Sequence, residues 1–200
     1  MIKARTINTR KIVLLALLTA IVIILQVLAI FVRPLLPAFT INLVLLPIVV
    51  GAALAGVFEG GWLGLVSGLA VLISGDAAAF LVVDPAAAIA VVLLKGLLAG
   101  LAAGAVYRLI AKKSRTVAAV AAAVVCPIVN TGIFVVGCYA FFLPTIVSWA
   151  EAAGFANATV FIFIGMIGIN FLIEMGINLL LSPTIVRLIQ YGQDRRRVEG

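Results

Sequence analysis

Long apolar runs separated by short polar breaks dominate the chain. Six can be marked, at about 10–32, 40–56, 60–73, 86–110, 116–142 and 158–186. Four of them reach the roughly 20 residues that a helix needs to cross a hydrocarbon core about 30 Å thick. The runs at 40–56 and 60–73 are shorter. Only Val57, Phe58, Glu59 and Gly60 lie at the turn between them, so they read as a tight helical hairpin. The pattern predicts an all-α integral membrane protein of six transmembrane helices, in a single domain covering residues 1–200.

Composition agrees with that pattern. The chain is 66% hydrophobic and 10% charged, with a mean hydropathy of +1.36. A soluble domain is nearer half apolar and a quarter charged. The net charge of +7 raises nucleic acid as a partner, but the basic residues are placed as topology signals. Lys3, Arg5, Arg10 and Lys11 lie before or at the start of the first run; Arg108, Lys112, Lys113 and Arg115 lie around the junction of the fourth and fifth. Arg187, Arg195, Arg196 and Arg197 follow the sixth. All of these fall on one side of a six-helix path. Arg33 falls on the other, and Lys95 lies inside a run. The positive-inside rule then predicts cytoplasmic termini and an even helix count. The first run is longer than a signal-peptide core and no A-x-A site closes it, so it reads as a retained helix.

Chemistry is bounded mostly by what is missing. There is no histidine, which removes Ser-His-Asp and Cys-His catalysis and the common His-rich metal sites. No Walker-A motif and no G-x-S-x-G occur, and GLVSG at 64–68 has the wrong spacing for the latter. No acidic pair recurs in a metal-ligand pattern. No enzyme activity, cofactor or metal is expected. Cys126 and Cys138 lie twelve residues apart in one run, roughly 18 Å along a helix and beyond disulfide reach; they read as small packing residues.

Small residues recur every fourth position: Gly60, Gly64 and Gly68; Gly96, Gly100 and Gly104; Ala16 and Ala20; Ala52 and Gly56. This spacing puts them on one helix face and lets helices approach closely, mostly within the bundle and in part against a partner subunit.

Polar groups at membrane depth are few. Lys95 lies about nine residues into its run, roughly 14 Å from one end. Its ammonium needs an anion, supplied either by Glu174 or by a substrate carboxylate. Asn170, Glu174 and Asn178 are spaced by four and form one polar stripe. Asn130 and Thr131 follow Pro127, which frees a backbone carbonyl in mid-helix. The three runs together suggest a polar cavity. Three loops, at 33–37, 74–85 and 143–157, share the side opposite the basic clusters. The second has an apolar middle, AAAFLVV, and the third holds Trp149 and Glu151. Such loops either cover a ligand or pack at the interface.

With these residues in view, the whole chain resembles the S component, the substrate-binding subunit, of energy-coupling factor (ECF) vitamin transporters. The resemblance rests on length, helix count, the Ala16-x-x-x-Ala20 pair after a basic N-terminus, and stretches such as LISGDAAAFLVVDP, VLLKGLLAGLAAG and CPIVNTGIFVVG. It implies capture of a vitamin from outside, best matched by an anion such as pantothenate. The site would lie in the outer half of helices 4 to 6, with Lys95, Asn130, Thr131, Asn170 and Glu174 as candidates. It also implies docking through helices 1 to 3, with Ala16 and Ala20 at the interface, onto a transmembrane coupling protein carried by two ATPase subunits. The missing Walker motif fits that division of labour. Two other readings remain: a proton-coupled secondary transporter using Glu174, and a non-transporting assembly or regulatory membrane protein.

Overall fold

The computed structural model describes residues 9–32 and 43–198. Every regular element among these residues is helical. The order is α1 (Thr9–Val32), α2 (Leu45–Leu54), α3 (Val57–Ser74), α4 (Ala78–Val83), α5 (Pro85–Ile110), α6 (Arg115–Phe141), α7 (Leu143–Ala152), α8 (Ala158–Val160) and α9 (Gly168–Val198). A π-helical stretch, Phe161–Ile167, joins the last two.

Four helices, α1, α3, α5 and α6, are long and apolar enough to cross a membrane. A fifth span results if the bent pair Ala158–Ile167 and Asn170–Leu181 is one crossing; its two halves meet at 42°. The protein is therefore a multi-pass membrane protein with four or five such spans among the described residues. The expected second helix, 40–56, is found only as α2, ten residues long. Its expected start, the loop at 33–37 with Arg33, and the basic residues Lys3 and Arg5 lie outside the described residues.

Local chemistry sets the helix ends. Asp84 caps α5 by accepting from the Ala87 amide at 3.0 Å, with Pro85 in the first turn. Ser114 caps α6 through the Val117 amide, and Asn157 caps α8 through the Val160 amide. Each satisfies a donor that the helix start leaves without a partner. The turn between α2 and α3 falls earlier than expected. Gly56, at φ +133°, makes it, and Val57 to Gly60 already belong to α3. Glu59 thus lies in a first helical turn, where the helix dipole favours an acid. Its carboxylate pairs with Lys11 of α1.

The glycine ladders interlock. A Cβ built on Gly64 would overlap the carbonyl of Gly96, and one on Gly96 would overlap the carbonyl of Gly64. Gly60 and Gly100 oppose each other in the same way, and Gly68 faces the Val92 carbonyl. The two helices run antiparallel with backbone against backbone, as small residues permit in lipid. On the other side of α3, α1 is fastened at both ends. Lys11 holds Glu59 at one end; at the other, Gln26 donates to Ser74 Oγ at 3.0 Å and to the Asp76 carboxylate.

Two of the three expected far-side loops fall among the described residues, and both are partly helical. The 74–85 segment contains α4, and the 143–157 segment contains α7. The Tyr139 hydroxyl donates to Thr159 Oγ1 at 2.8 Å, bracing the two ends of the second segment. "Basic end" below denotes the end carrying Arg10, Lys11, Arg108, Lys112, Lys113, Arg115 and Arg187; "far end" denotes the opposite one.

Candidate functional site

Buried apolar residues form two separate clusters. The basic-end cluster takes Leu18 and Val22 from α1, most of α2, Ala99, Ala103 and Tyr107 from α5, Ala118 to Cys126 from α6, and Ile185 and Val186 from α9. The far-end cluster takes Ala87, Ala88 and Val91 from α5, Cys138 and Phe142, Ile146 of α7, and Ile162. Three segments cross from one cluster to the other, and each carries polar residues at the crossing. On α5 it is Lys95, between Val91 and Ala99. On α6 it is Asn130 and Thr131, between Cys126 and Phe134. On α9 it is Asn170, Glu174 and Asn178, between Ile167 and Ile185. The expected polar residues thus share one belt through the bundle.

An aromatic cluster sits directly above the belt at the far end. Phe80, carried by the short helix α4, makes edge contacts with Phe134, Phe142 and Trp149 at ring-centroid distances of 5.6, 4.9 and 5.6 Å. Phe80, Ala88, Val91, Val92, Phe134, Cys138 and Phe142 line a shallow apolar hollow. Its empty space of about 230 Å³ includes the open mouth. Lys95 lies on the same face of α5 as Ala88, Val91 and Val92, which precede it by seven, four and three residues. Side chains on a helix lean toward its N-terminus. For Lys95 that direction is toward the hollow. For Phe134, on the antiparallel α6, it is toward Lys95. The two meet: the Lys95 ammonium lies 5.3 Å from the Phe134 ring centroid, within cation–π range.

A family model described as the ECF transporter substrate-specific component matches residues 10–186, most of the chain. This protein belongs to that family. Nothing among the curated proteins or the solved structures matches the chain. Members of the family are substrate-binding transporter components, not enzymes.

In this S component the belt residues differ in their surroundings. Lys95, Asn130, Thr131, Asn170 and Glu174 are all half-buried. Lys95 and Glu174 interact electrostatically across the bundle, but among the described residues no direct ion pair joins them. Asn178 is buried at 2% exposure. Its Nδ2 donates to the Glu174 carbonyl at 2.9 Å, while its Oδ1 has no hydrogen-bond partner among the described residues. The stripe begins just after the π-helical stretch and Gly168 (φ +22°), a break that re-aims the residues following it. Pro127 lies buried one turn from Asn130 and Thr131. Cys126 and Cys138 are free and buried, one in each apolar cluster.

On α1, Leu18, Val22 and Gln26 form the buried face. Ala16 and Ala20 lie on the other side and are exposed. Sequence reasoning placed Trp149 on a loop of interest but missed Phe80, Phe134 and Phe142. The signal was the single aromatic within AAAFLVV, at 80, together with Phe134 and Phe142 in the run 116–142. Gln26 was also missed, although a glutamine in an otherwise apolar span is conspicuous.

Proposed function

We propose that this S component captures a vitamin or related small anionic micronutrient, of which pantothenate is one example, at the belt beneath the aromatic cluster. The observation that carries the reading is the meeting of a lone membrane-depth ammonium, Lys95, with a far-end hollow that Phe80 of the short helix α4 walls on one side. Lys95 holds the substrate carboxylate. Asn130, Thr131 and Asn170 offer hydroxyl and amide groups to its polar atoms, and Glu174 balances the Lys95 charge when the site is empty. The far end faces outward and the basic end the cytoplasm of a bacterial cell, as the positive-inside rule requires.

Uptake is driven by partners: a transmembrane coupling protein and two ATPase subunits. Ala16 and Ala20 form part of the docking face, supported by their exposure on a span whose other face packs inward. The test is uptake by cells expressing the chain with its coupling module. Abolishing ATP hydrolysis in the ATPase subunits should stop uptake, and dissipating the proton gradient at constant ATP should leave it. The reverse pattern would identify a proton-coupled transporter using Glu174. Ligand binding without any uptake would favour a non-transporting role.

A further inference from the structure

We infer that the site takes a monocarboxylate whose body is flat or compact and apolar, and that this body enters by displacing the Phe80 ring. The inference rests on the reading that Lys95 holds a substrate carboxylate, and it narrows the substrate's other end, favouring an acid with an apolar body over the hydroxylated pantothenate given above as an example of the anionic class.

Among the described residues, the lining of the hollow offers no polar partner. Its lining is three phenylalanine rings, Ala88, Val91, Val92 and the buried thiol of Cys138. A hydroxyl or amide placed there would lose its hydrogen bonds to water and gain none. The polar groups of the belt lie at the hollow's floor, one helical turn below: Lys95 beneath Val91 and Val92, and Asn130 and Thr131 beneath Phe134. A ligand spanning both levels therefore has its charge at one end and an apolar surface at the other. Binding pockets commonly combine an apolar wall with a few placed polar groups.

The same geometry shows what now fills the space. Phe80 contacts three aromatic rings edge-on, at 4.9 to 5.6 Å between centroids. What remains of the hollow is too shallow for a vitamin-sized body without movement of a wall. Phe80 is the wall best able to move, since α4 is six residues long and none of its residues is buried. A flat ligand ring would take over the edge contacts with Phe134, Phe142 and Trp149 that Phe80 gives up. A hydroxylated body would not.

The test is calorimetric titration of the purified full-length chain with 3-phenylpropionate, its carboxamide, and pantothenate as an anion with a hydroxylated body. A Trp62→Phe background leaves Trp149 as the single tryptophan, so its emission reports occupancy beside the aromatic cluster. Phenylpropionate should bind at least tenfold tighter than either other probe and should shift Trp149 emission. Phe134→Ala should weaken it at least tenfold, whereas Phe80→Ala should tighten it severalfold by removing the competing ring. Pantothenate binding as tightly as phenylpropionate would overturn the apolar-body inference and leave the Lys95 carboxylate reading standing. Acid and amide binding equally, or no anion binding at all, would overturn both. Weaker binding in Phe80→Ala would overturn the displacement.

Discussion

At the scale of single residues, Lys95 decides most. A charge-assisted contact between its ammonium and a ligand carboxylate is worth about 1.5–3 kcal/mol. Lys95→Met keeps most of the stem and removes the charge, so substrate affinity should fall about tenfold to several hundredfold, since each 1.4 kcal/mol is tenfold. The competing role is a structural partner of Glu174. In that case Lys95→Met leaves a half-buried carboxylate without its counter-charge and lowers thermal stability, and adding Glu174→Gln restores it. Calorimetry and thermal melts on the single and double variants separate the two. A double variant that regains both stability and full affinity makes Lys95 scaffold. The residue was legible in the sequence because a lone charge in an apolar run is costly and needs a reason. Phe80 was not, because a phenylalanine among alanines and valines looks like any apolar loop residue until α4 folds it against α6 and α7.

At the scale of elements, the α3–α5 contact is the least adjustable part of the fold. A side chain at Gly64 meets the backbone of Gly96, not a flexible side chain that could yield. Gly64→Ala should destabilise the chain by about 1–3 kcal/mol or more, the range for overpacking. Gly132 on α6 is the control, since a Cβ built there meets nothing within 4 Å. Gly132→Ala should hold or raise the melting temperature, because alanine favours a helix interior by roughly 0.5–1 kcal/mol over glycine. Thermal unfolding in one detergent compares them. The ladders were readable because four-residue spacing translates directly into a helix face. Other elements were not. The break before α9 lies within an apolar stretch, FIFIGMIGIN, that reads as continuous helix. Only Gly165 and Gly168 mark it, and glycines are common in membrane helices. The helices α4 and α7 escaped notice because each, at six and ten residues, is too short for a span.

At the scale of the whole molecule, the proposed function divides the bundle's work between its two sides. The belt and aromatic hollow belong to α4, α5, α6, α7 and α9, while α1 offers an outward face that closes no part of the site. Replacing Ala16 and Ala20 by leucine should therefore abolish transport while leaving substrate affinity of the isolated chain within about twofold, because bulk on that face blocks close helix approach. Lost binding with intact complex assembly would mean that the docking face lies elsewhere. The family was legible from motifs spread along the chain, and the match over residues 10–186 agrees with it. The substrate was not, because its identity depends on which side chains from distant segments meet between the two apolar clusters.

The most direct test of the central claim is mass spectrometry of small molecules that co-purify with the chain in detergent, for the wild type and for Lys95→Met in parallel. A carboxylic acid enriched with the wild type, and at least tenfold depleted from the variant at equal protein recovery, is the expected result. Equal recovery of that compound from both proteins, or no small molecule retained by either when the growth medium is rich in vitamins, would contradict a substrate-binding role centred on Lys95.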